Sequence, residues 1–374
     1  MEMNLDNFVR NAASVQRDYF KLSGDMIEMS AMDHFNPLAS QWKDFFRARA
    51  KPLESPDWHT ENTVVYEGYK ISLRRFTSGK KGNPIVIVAP EAGHDSLVVD
   101  FGPGQSLVEC ALKNYPGDIY VVDKLPAGPD DTNYTIDDSI RSLQESINVI
   151  GEPVNFVGFC QGGWQTTVFT ALFPESVKSL TVAAGPIDFH AGDAVITKMA
   201  LDLPFSFFQQ MVANGGGNMP GISIGTGFMM MNAVDRFLGD DINLFNNAQN
   251  EEFLDRQHQF RSWYHNFQPV PGKMYLDIVK QLFRENRLIK GELEILGRPV
   301  DLSAITQPII LIGGTKDDIT PPTQVMAMTD YVSSSSIKEI LVPAGHIGVF
   351  MGKEIIKNHW PSILKEIGSN DEEK

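Results

Sequence analysis

The pentapeptide Gly158-Phe159-Cys160-Gln161-Gly162 lies between a short apolar run, Val154 to Val157, and a helical-looking segment, Trp164 to Leu172. That context is strand, sharp turn and helix, with a thiol at the apex of a G-x-Cys-x-G frame. Glycines flank such an apex because the turn brings backbone against backbone and leaves no room for side chains. The elbow lifts the nucleophile out of the sheet and offers the next backbone N–H to an oxyanion. A free cysteine on its own is more often a small buried hydrophobe. Here motif and context together select the nucleophile reading.

The rest of the chain supplies a frame for that elbow. Thr63 to Tyr66 and Ile71 to Phe76 read as an opening hairpin around Glu67-Gly68, and Ile85 to Ala89, Ile119 to Val122, Val154 to Val157 and Leu180 to Ala184 read as buried strands. Helical patterns fall between them at about 104–113, 136–150 and 160–173. Strands separated by helices imply a parallel sheet with right-handed crossovers. Strands return at Ile309 to Ile312 and Ile340 to Val342, with a helix at about 323–332 between them and a closing helix from Lys353 to Ile367. The expected class is α/β, an α/β-hydrolase fold with a mostly parallel central sheet. Its core is expected over 51–186 and 301–374, with a helical cap insertion over 187–300 and an N-terminal helical arm over 1–50.

The arm is expected from Leu5, Phe8, Ala12, Val15, Tyr19, Leu22, Met26 and Met29, which recur three or four apart and share one helical face. Asn36-Pro37 interrupts it, and a second short helix is expected from Gln41 to Ala48. Packing on its own domain or a dimer partner explains such a face, and a homodimer is the base-rate expectation. In the insertion, Met229-Met230-Met231 and many aromatics read first as core filling. A cap above the elbow would also shape an apolar acyl pocket.

Catalysis at a thiol needs a base to take its proton and an acid to orient that base. Gly313-Gly314-Thr315-Lys316-Asp317 follows the strand ending at Ile312, and Pro343-Ala344-Gly345-His346 follows the strand ending at Val342. The order Cys160…Asp317…His346 is nucleophile, acid, histidine. Asp317 has the better spacing from its strand, with Asp318 as the neighbouring alternative. The Gln161 N–H is one expected oxyanion donor. The second is expected in the loop Pro90-Glu91-Ala92-Gly93, at Glu91 or Ala92. His94 in that loop is a rival base by type, but its place in the chain suits a structural or substrate-orienting role. No metal cluster or dinucleotide fingerprint accompanies these residues, so no cofactor and no metal are implied.

Composition limits the partners. A formal net charge of −15 argues against nucleic acid or an anionic membrane as the main one. Two cysteines, Cys110 and Cys160, make no disulfide framework and suit a reducing cytosol. The apolar runs are too short for a transmembrane segment, and the first residues lack a signal-peptide pattern. Ser369 to Lys374 reads as a frayed charged tail.

Val157-Gly158-Phe159-Cys160-Gln161-Gly162-Gly163 and Gly345-His346-Ile347-Gly348 resemble the cysteine lipase box and histidine segment of polyhydroxyalkanoate synthases. Intracellular polyhydroxyalkanoate depolymerases, also cysteine enzymes on an α/β-hydrolase fold, resemble more of the chain. Ala89-Pro90-Glu91-Ala92-Gly93-His94, Gly185-Pro186-Ile187-Asp188, Tyr275-Leu276-Asp277, Phe283-Arg284-Glu285, Arg287-Leu288 and Asp317-Asp318-Ile319 are similar to their segments. The Gln161-Gly162-Gly163 elbow is the more synthase-like part, whereas the oxyanion loop lacks the P-P-W-I-N-like stretch of synthases. The resemblance implies an enzyme that loads a 3-hydroxyacyl group on Cys160, expected as a depolymerase of (R)-3-hydroxyacyl polyester. The alternatives are a polyhydroxyalkanoate synthase, a general acyl esterase or thioesterase, and a non-catalytic module on the same frame. It further implies a cytoplasmic protein that meets a polyester granule, with the N-terminal aromatic and Met-rich helices as a contact.

Overall fold

In the computed structural model, which describes residues 37–54, 56–231 and 240–369, eight strands form one sheet in the order β1-β2-β4-β3-β5-β6-β7-β8. They are β1 (Thr63–Gly68), β2 (Ile71–Phe76), β3 (Ile85–Val88), β4 (Ile119–Lys124), β5 (Val154–Phe159), β6 (Val177–Ala183), β7 (Ile309–Gly314) and β8 (Ile337–Val342). β2 pairs antiparallel with β1 and β4, and all other pairings are parallel. The mostly parallel sheet expected from the alternating pattern is therefore present. Every residue of β3, β5 and β7 is buried, as expected of strands covered by helices on both faces.

Two compact units emerge. One comprises Asp57–Gly221 and Gln268–Lys374 and contains the whole sheet. The other draws on Met1–Pro56 and Ile222–Phe267. This division differs from three regions bounded at 50, 187 and 300, because 187–221 and 268–300 group with the sheet. In the smaller unit Phe45, Leu244 and Ala248 are buried together, with Phe46, Phe245, Phe253 and Leu254 packed against them. The expected arm helix through Leu5 to Met32 and the tail beyond Ser369 lie outside the described residues, as do the side chains of Met229 to Met231.

Local chemistry sets the element ends. The helix Ile136–Ile150 begins at Thr135, whose hydroxyl accepts from the Asp138 N–H while Asp138 reaches back to the Thr135 N–H. It ends at Gly151 in the left-handed region, φ 78°. Pro37 opens the helix Pro37–Ala50, where its missing N–H costs nothing. The closing helix expected as one piece is two, Lys353–Asn358 and Trp360–Ser369. Pro361 explains the break, since it cannot donate within a helix interior but fits a first turn.

β8 starts at Ile337 rather than Ile340, because an edge strand with exposed Lys338 and Glu339 lacks an apolar run. A short hairpin, Glu294–Ile295 with Arg298–Pro299, and a π-helical stretch, Ile278–Arg284, were not expected. The long excursion from β6 to β7 is tied near both ends. Asn286 donates from Nδ2 to Asp188 Oδ1 at 2.7 Å, and its Oδ1 accepts from the Phe189 N–H at 3.1 Å.

The helix Gln161–Leu172 lies tight on the sheet. A Cβ built on Gly162 would stand 2.1 Å from the Val88 carbonyl oxygen, a backbone atom that cannot rotate aside. Gly162→Ala is expected to cost about 1–3 kcal/mol of stability. Gly227→Ala, whose added methyl has nothing within 4 Å, is expected to gain about 0.5–1 kcal/mol in its helix. Opposite shifts of the urea midpoint check the pair.

Candidate active site

Cys160 stands between the end of β5 and the helix Gln161–Leu172, with φ 49° and ψ −117°. A positive φ is strained for a residue with a Cβ, and the surrounding contacts hold it there. Its N–H donates to the Ala183 carbonyl at 3.1 Å and its carbonyl accepts from the Gly163 N–H at 2.9 Å. All three glycines of the elbow stand at close approaches. A Cβ on Gly158 would meet Thr166 Oγ1 at 2.3 Å, and one on Gly163 would meet Gly185 Cα at 2.9 Å. The expected strand–turn–helix elbow is thus present in backbone geometry, with Cys160 8% exposed at its apex.

Asp317 and His346 come from the loops after β7 and β8. These strands are parallel neighbours, and the Lys316 N–H donates to the Ala344 carbonyl at 3.0 Å, which draws the two loops together. Asp317 Oδ1 accepts from the backbone N–H groups of Ile319 (3.0 Å) and Thr320 (2.8 Å). Its Oδ2 accepts from His346 Nδ1 at 2.8 Å. The carboxylate is wholly enclosed, whereas Asp318 is exposed. Of the two candidate acids, it is Asp317 that reaches the imidazole. Behind His346, Phe350 presents an edge to the ring and packs on Phe159, which also contacts Trp360.

The His346 environment favours the imidazolium. Burial alone pushes its pKa down. The charges of Cys160 and Asp317, with the Asp317 hydrogen bond, outweigh burial and raise it to about 10. Cys160 thus lies near enough to act on the imidazole electrostatically. Cys110, the other thiol, is different: burial pushes its pKa up to about 11, and its Sγ lies 3.6 Å from the Ile356 carbonyl. A thiol held protonated in the core is a poor nucleophile.

Gln161 provides the first N–H of its helix, one that has no intrahelical acceptor. Its side chain turns away, with Oε1 accepting from Trp164 Nε1. The loop carrying Glu91 lies beside this turn, because Gly162 rests on the Val88 and Ala89 carbonyls. The Glu91 carboxylate is not solvated: Oε2 is 3.4 Å from Lys124 Nζ and 3.4 Å from Gln165 Nε2. Lys124 and Gln165 belong to no motif, and the available signal is the charged pair Asp123-Lys124 closing the apolar run Ile119 to Val122. Among the described residues no group of three or more His, Cys, Asp or Glu side chains could hold a metal ion, and no helix is long and apolar enough to cross a membrane.

Comparisons with known proteins fit this geometry. The poly(3-hydroxyalkanoate) polymerase subunit PhaC of Haloferax mediterranei is 28% identical over 313 residues, 81% of this chain and 63% of that protein. The protein of the same name from Synechocystis is 26% identical over 339 residues, 81% of this chain and 83% of the relative. Both relatives are named as polymerases and neither as a depolymerase. The chain thus spans less than two thirds of the length of the Haloferax relative. BpoC of Mycobacterium tuberculosis, a solved structure, matches with a TM-score of 0.53 at 17% identity, covering 83% of this chain and 99% of that one. At that identity the match concerns fold alone, and the fold is that of an α/β hydrolase. A model of the DUF3141 family, described as a protein of unknown function, matches residues 61–368. The chain belongs to the DUF3141 family.

Proposed function

We propose that this protein is a cysteine acyltransferase that polymerises 3-hydroxyacyl thioesters. The observation that carries the reading is the Asp317–His346 hydrogen bond set against Cys160 on a strained elbow. The likeness to PhaC proteins supports this choice of acyl donor and acceptor.

Each step balances on these residues. The Cys160 thiolate attacks the thioester carbonyl, and the carbonyl electron pair moves to an oxyanion held by the N–H groups of Gln161 and Glu91. Collapse breaks the C–S bond to the leaving thiolate, which takes the His346 proton. The neutral imidazole then accepts the proton of an incoming chain-end hydroxyl. That oxygen attacks the acyl-cysteine, forming an ester and releasing the Cys160 thiolate. Asp317 stabilises the imidazolium and fixes its orientation throughout. Had water been the acceptor, the same residues would run the depolymerase reaction to which the loop at Ala89 to His94 bears a resemblance.

Purified protein given 3-hydroxybutyryl-CoA is expected to release free CoA and deposit insoluble polymer, and Cys160→Ala to do neither. Release of 3-hydroxybutyrate from amorphous polymer, with no CoA freed from the thioester, would sink the polymerase reading and restore the depolymerase. Hydrolysis of short esters alone would leave a general esterase.

The His346 shift has a definite sign. Its folded-state pKa stands above the ordinary 6.5, so its contribution to stability is complete below about pH 6.5 and lost as pH rises through about 10. Asp317→Asn removes one of the anions and is expected to move the imidazole titration back toward 6.5. Histidine ring NMR shifts against pH check this, and an unchanged titration would remove Asp317 from the mechanism.

A further inference from the structure

The proposed chemistry uses no lysine, yet Lys124 is 5% exposed at the C-terminal end of β4 with its ammonium facing the loop after β3. Its Nζ lies 3.1 Å from Gln165 Oε1 and 3.4 Å from Glu91 Oε2. Gln165 Nε2 lies 3.4 Å from the same Glu91 oxygen, so the three side chains close a triangle. Gln165 also donates to Ser139 Oγ at 3.4 Å. The Tyr134 phenol nearby is pushed up, first by burial and then by the charge of Glu91.

Burying an ammonium and a carboxylate gains little net stability, since desolvation opposes their attraction. What the triangle does fix is position. Gln165 sits one helical turn after Gln161 on the same helix, so its contact with Glu91 ties that loop to the helix that starts at Gln161. The Lys124 backbone N–H donates to Ser96 Oγ at 3.0 Å, at the far end of the same loop. The Gly93 carbonyl between them accepts from the Gln268 N–H at 2.8 Å. The loop is therefore tied at Glu91, Gly93 and Ser96 among other points, and two of these ties run to Lys124.

We infer that Lys124, acting with Gln165 on the Glu91 carboxylate, is a positioning residue that holds the Glu91 N–H where the acyl oxyanion forms; this rests on the acyl-transfer reading above. Charge supplies the hold and the helix supplies the register. A shift of about 1 Å in a donor can cost about a hundredfold in rate.

The test separates two reactions of the same thiol. Acylation by p-nitrophenyl acetate builds an oxyanion, whereas alkylation by iodoacetamide displaces iodide and builds none. In Lys124→Met the acylation burst is expected to slow about tenfold to a hundredfold. The rate of Cys160 alkylation, followed by mass, is expected to stay within about twofold of the parent. Gln165→Leu keeps both charges, guards against a fold that fails without Lys124, and is expected to show the same split. Equal slowing of both reactions would reduce the triangle to a structural role, and no slowing of acylation would overturn the inference. A parent protein that acylates readily but makes no polymer from 3-hydroxybutyryl-CoA would remove the polymerase reading and leave the role of Lys124 intact.

Discussion

The close approach of Gly162 to the Val88 carbonyl is the constraint on which the candidate site depends. It allows the helix Gln161–Leu172 to start directly over β3, so that Cys160 turns out of the sheet within one residue. The same approach brings the loop at Glu91 beside the first free N–H of the helix. The proposed nucleophile and oxyanion donors are thus a single backbone arrangement with few adjustable parts. The positive φ of Cys160 stores strain there, and the packed strands β3, β5 and β6 on either side prevent its release.

The proposed acid and base are positioned by a second device, the parallel pairing of β7 with β8. The two strands end level, and a backbone hydrogen bond between their loops sets the separation of Asp317 and His346. Asp317 spends one oxygen on two backbone N–H groups and the other on the imidazole, so it has no alternative pose. Solvation of His346 is replaced by charge, which is why burial does not neutralise it.

Much of this was readable in the chain because each functional residue follows a strand within a few positions. Cys160 is announced by its glycines, and Asp317 and His346 by the apolar runs before them. The strand–helix alternation carried the parallel sheet for the same local reason. What stayed hidden depends on tertiary partners. Nothing near Lys124 in sequence says that it meets Gln165, because that contact requires β4 and the elbow helix to be neighbours in space. Asp317 and Asp318 differ in sequence by one place but in the structure by enclosure, which only the fold decides. The start of β8 was masked by Lys338 and Glu339, which suit an edge strand yet break the apolar signal. The division of the excursion between two compact units is likewise a property of packing that periodicity does not encode.

The bond between Asp188 and Asn286 has an evolutionary reading. It ties a long excursion near its departure from β6 and on its way back to β7. An excursion anchored at its base transmits little of its own length to the strands beneath, since loop closure costs grow slowly with length. Segments inside it can therefore be lengthened, shortened or exchanged while β5, β7 and β8 keep their register. Lineages can diversify the excursion without rebuilding the sheet.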